Sequence, residues 1–173
     1  MIPSLGQGLS LVALLCSVAG CLVGFQAGRT RSPRLWRATV WLASGFGVAM
    51  IAANLLMVYA LLKRDFSVSY VAEVGSWDTP DPIAAISLWA SLNGSILFWG
   101  GVLGGFVLTL VWRYQHRYRE YMPYTVHVLL GVSVFFSALL AGVADPFAPT
   151  PLPIPTDGPG PNPLLQNHIL MAV

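Results

Sequence analysis

His116, His127 and His168, with Cys16 and Cys21, are the side chains in this sequence best suited to ligate a metal or attack a substrate. Their spacing argues against both. Cys16 and Cys21 lie in one apolar run, about 140° apart around a helix at ~100° per residue, so they cannot bridge each other within it. No further Cys or His stands at a zinc-ligand spacing, and the two cysteines read as small packing residues. His116 sits among Arg113, Arg117 and Arg119 and reads as a solvated or headgroup-level residue. His127 lies about one turn into an apolar run; an ionisable group at that depth is a candidate for function, but no second ligand accompanies it. There is no Gly-rich phosphate loop, no Ser/His/Asp set and no CxxC pair. The remaining chemistry is that of a binding wall. The stretch FSVSYVAEVGSWDTPDPIAAISLWASLNGSILFW, residues 66–99, gathers aromatic rings, hydroxyls and Asn93 where a plain connection would need none.

The elements that must position these residues follow from composition. Of the 173 residues 55% are hydrophobic and 9% charged, against roughly 25% charged in a soluble domain. A bilayer core of ~30 Å needs ~20 apolar residues of helix, and backbone in lipid has no water to bond, so the long apolar runs must be helical. The expected fold is all-α: a polytopic transmembrane bundle of about four spans at 5–26, 35–62, 94–112 and 124–143. An outer loop (63–93) with an interfacial helix separates spans two and three, and a Pro-rich tail covers 144–173. Charge predicts the orientation. The first connection carries Arg29, Arg31, Arg34 and Arg37 and no acid, and the third carries Arg113, Arg117 and Arg119 with Glu120. The second sets Lys63 and Arg64 against Asp65, Glu73, Asp78 and Asp81, and the tail holds Asp145 and Asp157. Basic residues of short loops collect on the cytoplasmic side, which puts both chain ends and the second loop outside. SVAGC, ending at Cys21, resembles a lipoprotein cleavage site, but a signal peptide carries its positive charge before the apolar run and here the arginines follow it. The basic clusters therefore set topology in a lipid surround, and nothing points to nucleic acid.

Span two, at about 28 residues or ~42 Å, must tilt or project beyond the membrane. Asn54 within it should turn toward another helix, and the pairs Gly100/Gly104 and Gly101/Gly105 let a neighbouring backbone approach span three. In the outer loop FSVSYV alternates as a short extended segment would, SWDTPDP is turn chemistry, and Pro82 suits the first turn of a helix. If that helix runs through, Trp89, Asn93, Ile96 and Gly100 share one face with Leu92 beside it and Trp99 at its edge. Ser87, Ser91 and Ser95 would then form a separate hydroxyl strip. An aromatic belt at the membrane boundary would account for the rings; a ligand wall is the alternative. The tail, DPFAPTPLPIPTDGPGPNPLLQNHILMAV, begins as a polyproline-like arm and turns apolar toward Val173. No cap, charge or Gly finishes that run, so the polypeptide is expected to continue.

DFSVSYVA (65–72), LWASLNGSILFW (88–99) and DGPGPNPLLQN (157–167) occur in an order and spacing that resemble the CcmF-type cytochrome c biogenesis proteins. These are the haem-lyase membrane subunits of bacterial cytochrome c maturation. The resemblance covers the whole chain and corresponds to the N-terminal quarter or so of a typical member. It implies an enzyme of the bacterial cytoplasmic membrane that joins haem to the CxxCH thiols of apocytochrome c on the outer face. Haem would come from a haem-loaded periplasmic chaperone, and thiol-handling maturation partners would assist. Haem is flat and largely apolar, so its site needs aromatic and aliphatic walls with a few polar donors. The candidate haem-contacting residues are then Tyr70, Trp89, Asn93, Ser95 and Trp99, with Asn162 and Gln166 of NPLLQN. No catalytic acid, base or metal ligand is assigned. In relatives the run after NPLLQ leads into His-Pro-Pro, whose His ligates haem; a bound haem b would take its axial His there, outside this sequence. His168 follows LLQN too early for that role and reads as interfacial. Many relatives have HEGS where this chain has Leu92, Asn93, Gly94 and Ser95, so any proton or haem handling by that His and Glu does not carry over. Two other functions compete: a transporter or channel subunit with the Gly-rich third span lining a path, and a structural membrane subunit. Coupling ions usually demand a mid-membrane charge, which is missing here.

Overall fold

The computed structural model describes residues 1–89 and 91–161. In chain order its helices are α1 (Ile2–Thr30), α2 (Pro33–Lys63), α3 (Ser69–Val74), α4 (Asp81–Ile86), α5 (Leu92–Tyr114) and α6 (Met122–Ala141), with a 3₁₀ turn at Ser87–Trp89. Four of them, α1, α2, α5 and α6, are long and apolar enough to cross a membrane. The chain is an all-α multi-pass membrane protein, and the described residues contain no strand beyond an isolated bridge between Val68 and Pro149. Proline stands in the first turn of α1, α2, α4 and α6, where its fixed φ suits the helix and its missing N–H is not needed. α2 ends by turning Arg64 into the left-handed region at φ 52°. The Arg64 and Asp65 N–H groups then donate back to the Leu61 and Ala60 carbonyls at 3.2 and 3.0 Å, which satisfies carbonyls that a helix end leaves open.

The buried faces are heptad seams. On α1 they fall at Gly6, Ser10, Ala13, Ser17, Gly20, Gly24 and Ala27, alternating steps of four and three. The same rhythm runs through Thr39, Ala43, Phe46, Met50, Ala53, Met57 and Ala60 of α2, and through Val126, Leu130, Ser133, Ser137 and Leu140 of α6. Such spacing keeps one stripe facing a gently crossed neighbour. α1 packs against α2 and α6, and α5 closes the bundle against the same two helices. The α1 stripe is made of small residues because its neighbours come close: a Cβ on Gly24 would stand 3.3 Å from Thr39 and 3.5 Å from His127. Lipid tails offer helices no hydrophobic drive to associate, so close packing and interhelical hydrogen bonds must hold them.

α2 and α5 show both devices. Gly104 sits against Gly47, where an added Cβ would meet the Gly47 backbone at 3.3 Å. Asn54 Nδ2 donates to the Leu97 carbonyl of α5 and to Met50 of its own helix, both at 2.9 Å. The amide does turn toward another helix, as its placement in lipid required. Asn54→Ala is expected to destabilise the bundle by about 1 kcal/mol, the scale of a hydrogen bond between membrane helices. Reversible unfolding in mixed micelles would measure it, and an unchanged midpoint would show that the bond exchanges freely with other partners.

The two ends of the bundle differ. At the arginine end the α1–α2 turn meets the α5–α6 connection: Arg31 pairs with Glu120 at 2.9 Å, and Trp36 Nε1 donates to the Gln115 carbonyl at 3.2 Å. The opposite, capped end gathers the start of α1, residues 64–89 and residues 142–161. Gln7 Nε2 donates to Asp145 Oδ2 at 2.7 Å, and Phe147 is fully buried against Gly6. The extended reading of 66–71 holds only around Val68. Beyond the bridge, Ser69 N–H donates to the Ala148 carbonyl and Ala72 N–H turns back to Val68, so the chain is already helical at Ser69.

Candidate functional site

At the capped end, the route from α4 into α5 decides where the aromatic rings point. A helix started at Asp81 and Pro82 would be expected to run on, since positions 83–93 contain neither Gly nor Pro. It does not. After Ile86 the backbone tightens into the 3₁₀ turn, and Ser91 is extended at φ −134°, ψ 173° before α5 begins at Leu92. Trp89 and Asn93 therefore do not share one helical face. Nor is there a serine strip: Ser87 Oγ donates to the Ala84 carbonyl at 2.7 Å, Ser91 Oγ is buried without a partner among the described residues, and Ser95 Oγ donates to the Trp89 carbonyl at 3.0 Å.

Tyr70 makes the break possible. Its side chain is buried, and its hydroxyl lies 2.8 and 2.9 Å from the Ser87 and Leu88 carbonyls that the ended helix would leave open. Gly94 lies against this arrangement so closely that a Cβ there would overlap the Tyr70 hydroxyl and the Leu88 carbonyl. The turn throws Trp89 outward. Its ring meets Phe98 edge-on at 5.3 Å, and Phe98 meets Trp99 in the same way at 5.8 Å. Edge-to-face contact is the favoured geometry for such rings. The result is an aromatic ledge with Trp89 46% and Trp99 58% exposed, and with Leu92 exposed beside it. Asn93, next to Leu92 in the first turn of α5, is half-buried. A ledge of this kind can hold a flat apolar ring system and offer it an amide.

The neighbouring loop is clamped from two sides. Arg64 Nη1 pairs with Asp81 Oδ1 at 2.7 Å, its Nη2 donates to the Thr79 carbonyl at 2.8 Å, and its guanidinium lies 5.9 Å from the Trp77 ring. From the other side Asp157 Oδ1 accepts the Trp77 and Gly158 N–H groups at 3.0 and 2.8 Å, while Trp77 Nε1 donates to the Thr156 carbonyl. Thr150 donates through N–H to Ser67 and through Oγ1 to Phe66, so residues 148–160 lie along the loop as a strap. The Trp77 and Gly158 N–H bonds hold the Asp157 carboxyl below the usual aspartate range. A depressed value means that the clamp is fully present above the ordinary carboxylate pKa and is lost as pH falls through the lowered one. Amide exchange over 148–158 should therefore stay slow from neutral pH to below about pH 4 and rise only in stronger acid, whereas Asp157→Ala should raise it at neutral pH. Exchange rates in that variant equal to those of the wild type at pH 7 would show that the strap is held without the carboxylate.

His127 does not join the ledge. It bridges α1 and α6 near the arginine end, its Nδ1 lying 2.8 Å from the Cys21 carbonyl and 3.3 Å from Cys21 Sγ, with the ring against Phe25. Among the described residues no three His, Cys, Asp or Glu stand close enough to hold a metal.

No protein-family model matches the chain. Curated relatives do. It is 31% identical over 168 residues to the cytochrome c-type biogenesis protein CcmF of Pseudomonas fluorescens, an alignment that covers 96% of this chain and 25% of the relative. It is 29% identical to CcmF of Escherichia coli K12 over 96% of this chain and 26% of that protein. Among solved structures, a cytochrome c haem lyase, CcmF, superposes with a TM-score of 0.77 at 30% identity, over 85% of this chain and 25% of the other. The chain is similar to CcmF proteins in sequence and in fold. It spans about a quarter of the length of these relatives. Similarity extends to the probable cytochrome c-type biogenesis protein NrfE of Escherichia coli K12, 30% identical over 84% of this chain and 26% of NrfE.

Of the residues that the sequence proposes as haem contacts, Trp89, Ser95 and Trp99 come together at the ledge, and Asn93 follows Leu92 in the first turn of α5. Tyr70 lies beneath as a support. Asn162 and Gln166 lie outside the described residues, as does His168. Sequence reasoning overlooked Phe98, the ring that joins the two tryptophans. It also passed over Arg64 as a topology signal and Asp157 as turn chemistry, although a lone acid in a DG turn is a good acceptor for nearby N–H groups.

Proposed function

We propose that this chain is part of a haem lyase that attaches haem covalently to apocytochrome c. The observation that carries the reading is the match at TM-score 0.77 and 30% identity to a solved cytochrome c haem lyase; the aromatic ledge supports it. In this reading Trp89, Trp99 and Leu92 form part of the wall for substrate haem, Asn93 supplies a polar contact, and Tyr70 and Ser95 hold the wall in place. Asn162 and Gln166 would contribute from the NPLLQN segment. The capped end faces outward in the bacterial cytoplasmic membrane, a placement supported by the arginines gathered at the other end. Haem arrives from a periplasmic haem chaperone, apocytochrome c is the acceptor, and thiol-handling partners keep its cysteines reduced. Each CxxCH thiol adds its S–H across a haem vinyl C=C, the sulfur bonding one carbon and the hydrogen the other, so no oxidant is consumed. The protein's contribution is orientation of the two reactants. Deleting the gene should strip covalently bound haem c, seen as haem-stained bands on denaturing gels, from the cells, and complementation should restore it. Unchanged haem c bands in the deletion strain would overturn the reading.

A further inference from the structure

The larger of the two cavities described, about 580 Å³, lies at the arginine end, far from the ledge. It opens between the α1–α2 turn and the α5–α6 connection, lined by Arg31, Trp36, Arg37, His116, Arg119 and Glu120. Its size falls in the range of roughly 300–1,000 Å³ typical of small-molecule sites. Glu120 is engaged by Arg31 at 2.9 Å, whereas Arg37 and Arg119 make no ion pair among the described residues. Arginines spread over a surface would be ordinary topology signals; these line one concavity. Arg113 and Arg117 of the same connection instead stack on Tyr114 and Tyr118 at 5.5 and 5.3 Å and do not line the cavity. Trp36 is fixed by its bond to Gln115, so its ring forms a rigid side of the cavity. The deeper wall, Ala27, Val40 and Pro123, belongs to the spanning helices and is apolar.

We propose that this cavity binds the phosphodiester headgroup of an anionic phospholipid. Arg37 and Arg119 hold the phosphate, and the Arg31–Glu120 pair closes one side. A guanidinium fork matches phosphate oxygens in geometry and charge, and basic pockets between membrane helices are suited to anionic headgroups. A soluble phosphate compound shares that chemistry; the apolar deeper wall at the level where helices enter lipid assigns the site to a lipid. The inference does not rest on the haem-lyase reading.

The test is native mass spectrometry of the protein extracted from phosphatidylcholine nanodiscs with or without phosphatidylglycerol. The wild type should retain phosphatidylglycerol in preference to phosphatidylcholine. A charge-assisted guanidinium–phosphate bond is worth roughly ten-fold or more in binding, so the Arg37→Gln/Arg119→Gln double variant, which loses two of them, should retain on the order of a hundred-fold less. Arg113→Gln/Arg117→Gln removes the same charge outside the cavity and should leave retention unchanged. Should the first pair fail to insert, Arg37→Lys/Arg119→Lys keeps the charge and should still prefer phosphatidylglycerol, with a reduced margin. Equal losses in the two glutamine pairs, or no preference for phosphatidylglycerol in the wild type, would overturn the proposal. Displacement of the retained lipid by inorganic phosphate would assign the cavity to a soluble phosphate compound and overturn the lipid source.

Discussion

Gly94→Val is expected to abolish covalent haem attachment while leaving the four spanning helices inserted. A Cβ at this position overlaps the Tyr70 hydroxyl and the Leu88 carbonyl, and neither can give way cheaply. The hydroxyl is buried and serves the Ser87 and Leu88 carbonyls, so a shift leaves buried acceptors without a donor, at about 1–3 kcal/mol. Overpacking the site adds about 1–3 kcal/mol more. The turn at 87–89 should open, and Trp89 then loses its place against Phe98. The spanning helices are held elsewhere, by the seams and by Asn54, so the defect should be local. Haem staining of denatured cytochrome c reports the loss, and unchanged membrane yield and helical circular dichroism report intact insertion. Tyr70→Phe, which removes the hydroxyl without adding bulk, should give an intermediate yield. Full assembly by Gly94→Val would show that the turn is dispensable and that the ledge is not the site.

The second large effect separates a ligand wall from an aromatic belt. Trp89→Ala should lower the yield of covalent haem c by about ten-fold, equivalent to ~1.4 kcal/mol, because it removes both the exposed ring and its edge-to-face partner contact with Phe98. Asn93→Ala should lower it less, since a single half-buried amide is lost. Trp112→Ala should leave it near the wild-type level. Trp112 is more exposed than either ledge tryptophan but lies on the half of α5 toward the arginine end, its Nε1 donating to Ser44 Oγ at 3.1 Å. Equal yields from all three variants would restore the belt as the whole explanation of these rings.

How much was legible in advance differs by element. The four spanning helices could be read from composition because the bilayer acts on each segment independently: a run that is long and apolar enough must be helical there, whatever its neighbours do. The need of Asn54 for a partner was legible for the same reason, yet its acceptor, the Leu97 carbonyl, was not. The heptad seams were open to reading in the spacing of small residues on α1, but lipid-facing positions are also apolar, so hydropathy does not mark them. The 3₁₀ turn at 87–89 escaped sequence reasoning altogether. No proline or glycine stops the helix there; it ends where Tyr70, seventeen positions away, lies beside two of its carbonyls. The strap at 148–160 is similar, because Asp157 finds Gly158 next door but Trp77 eighty positions away. Hydropathy, charge and turn chemistry act residue by residue on whatever solvent surrounds the chain, and so the sequence alone determined the spans and the side to which the arginines collect. The ledge and the strap depend on hydrogen bonds and ring contacts between distant segments, whose geometry exists only once the bundle has brought those segments together.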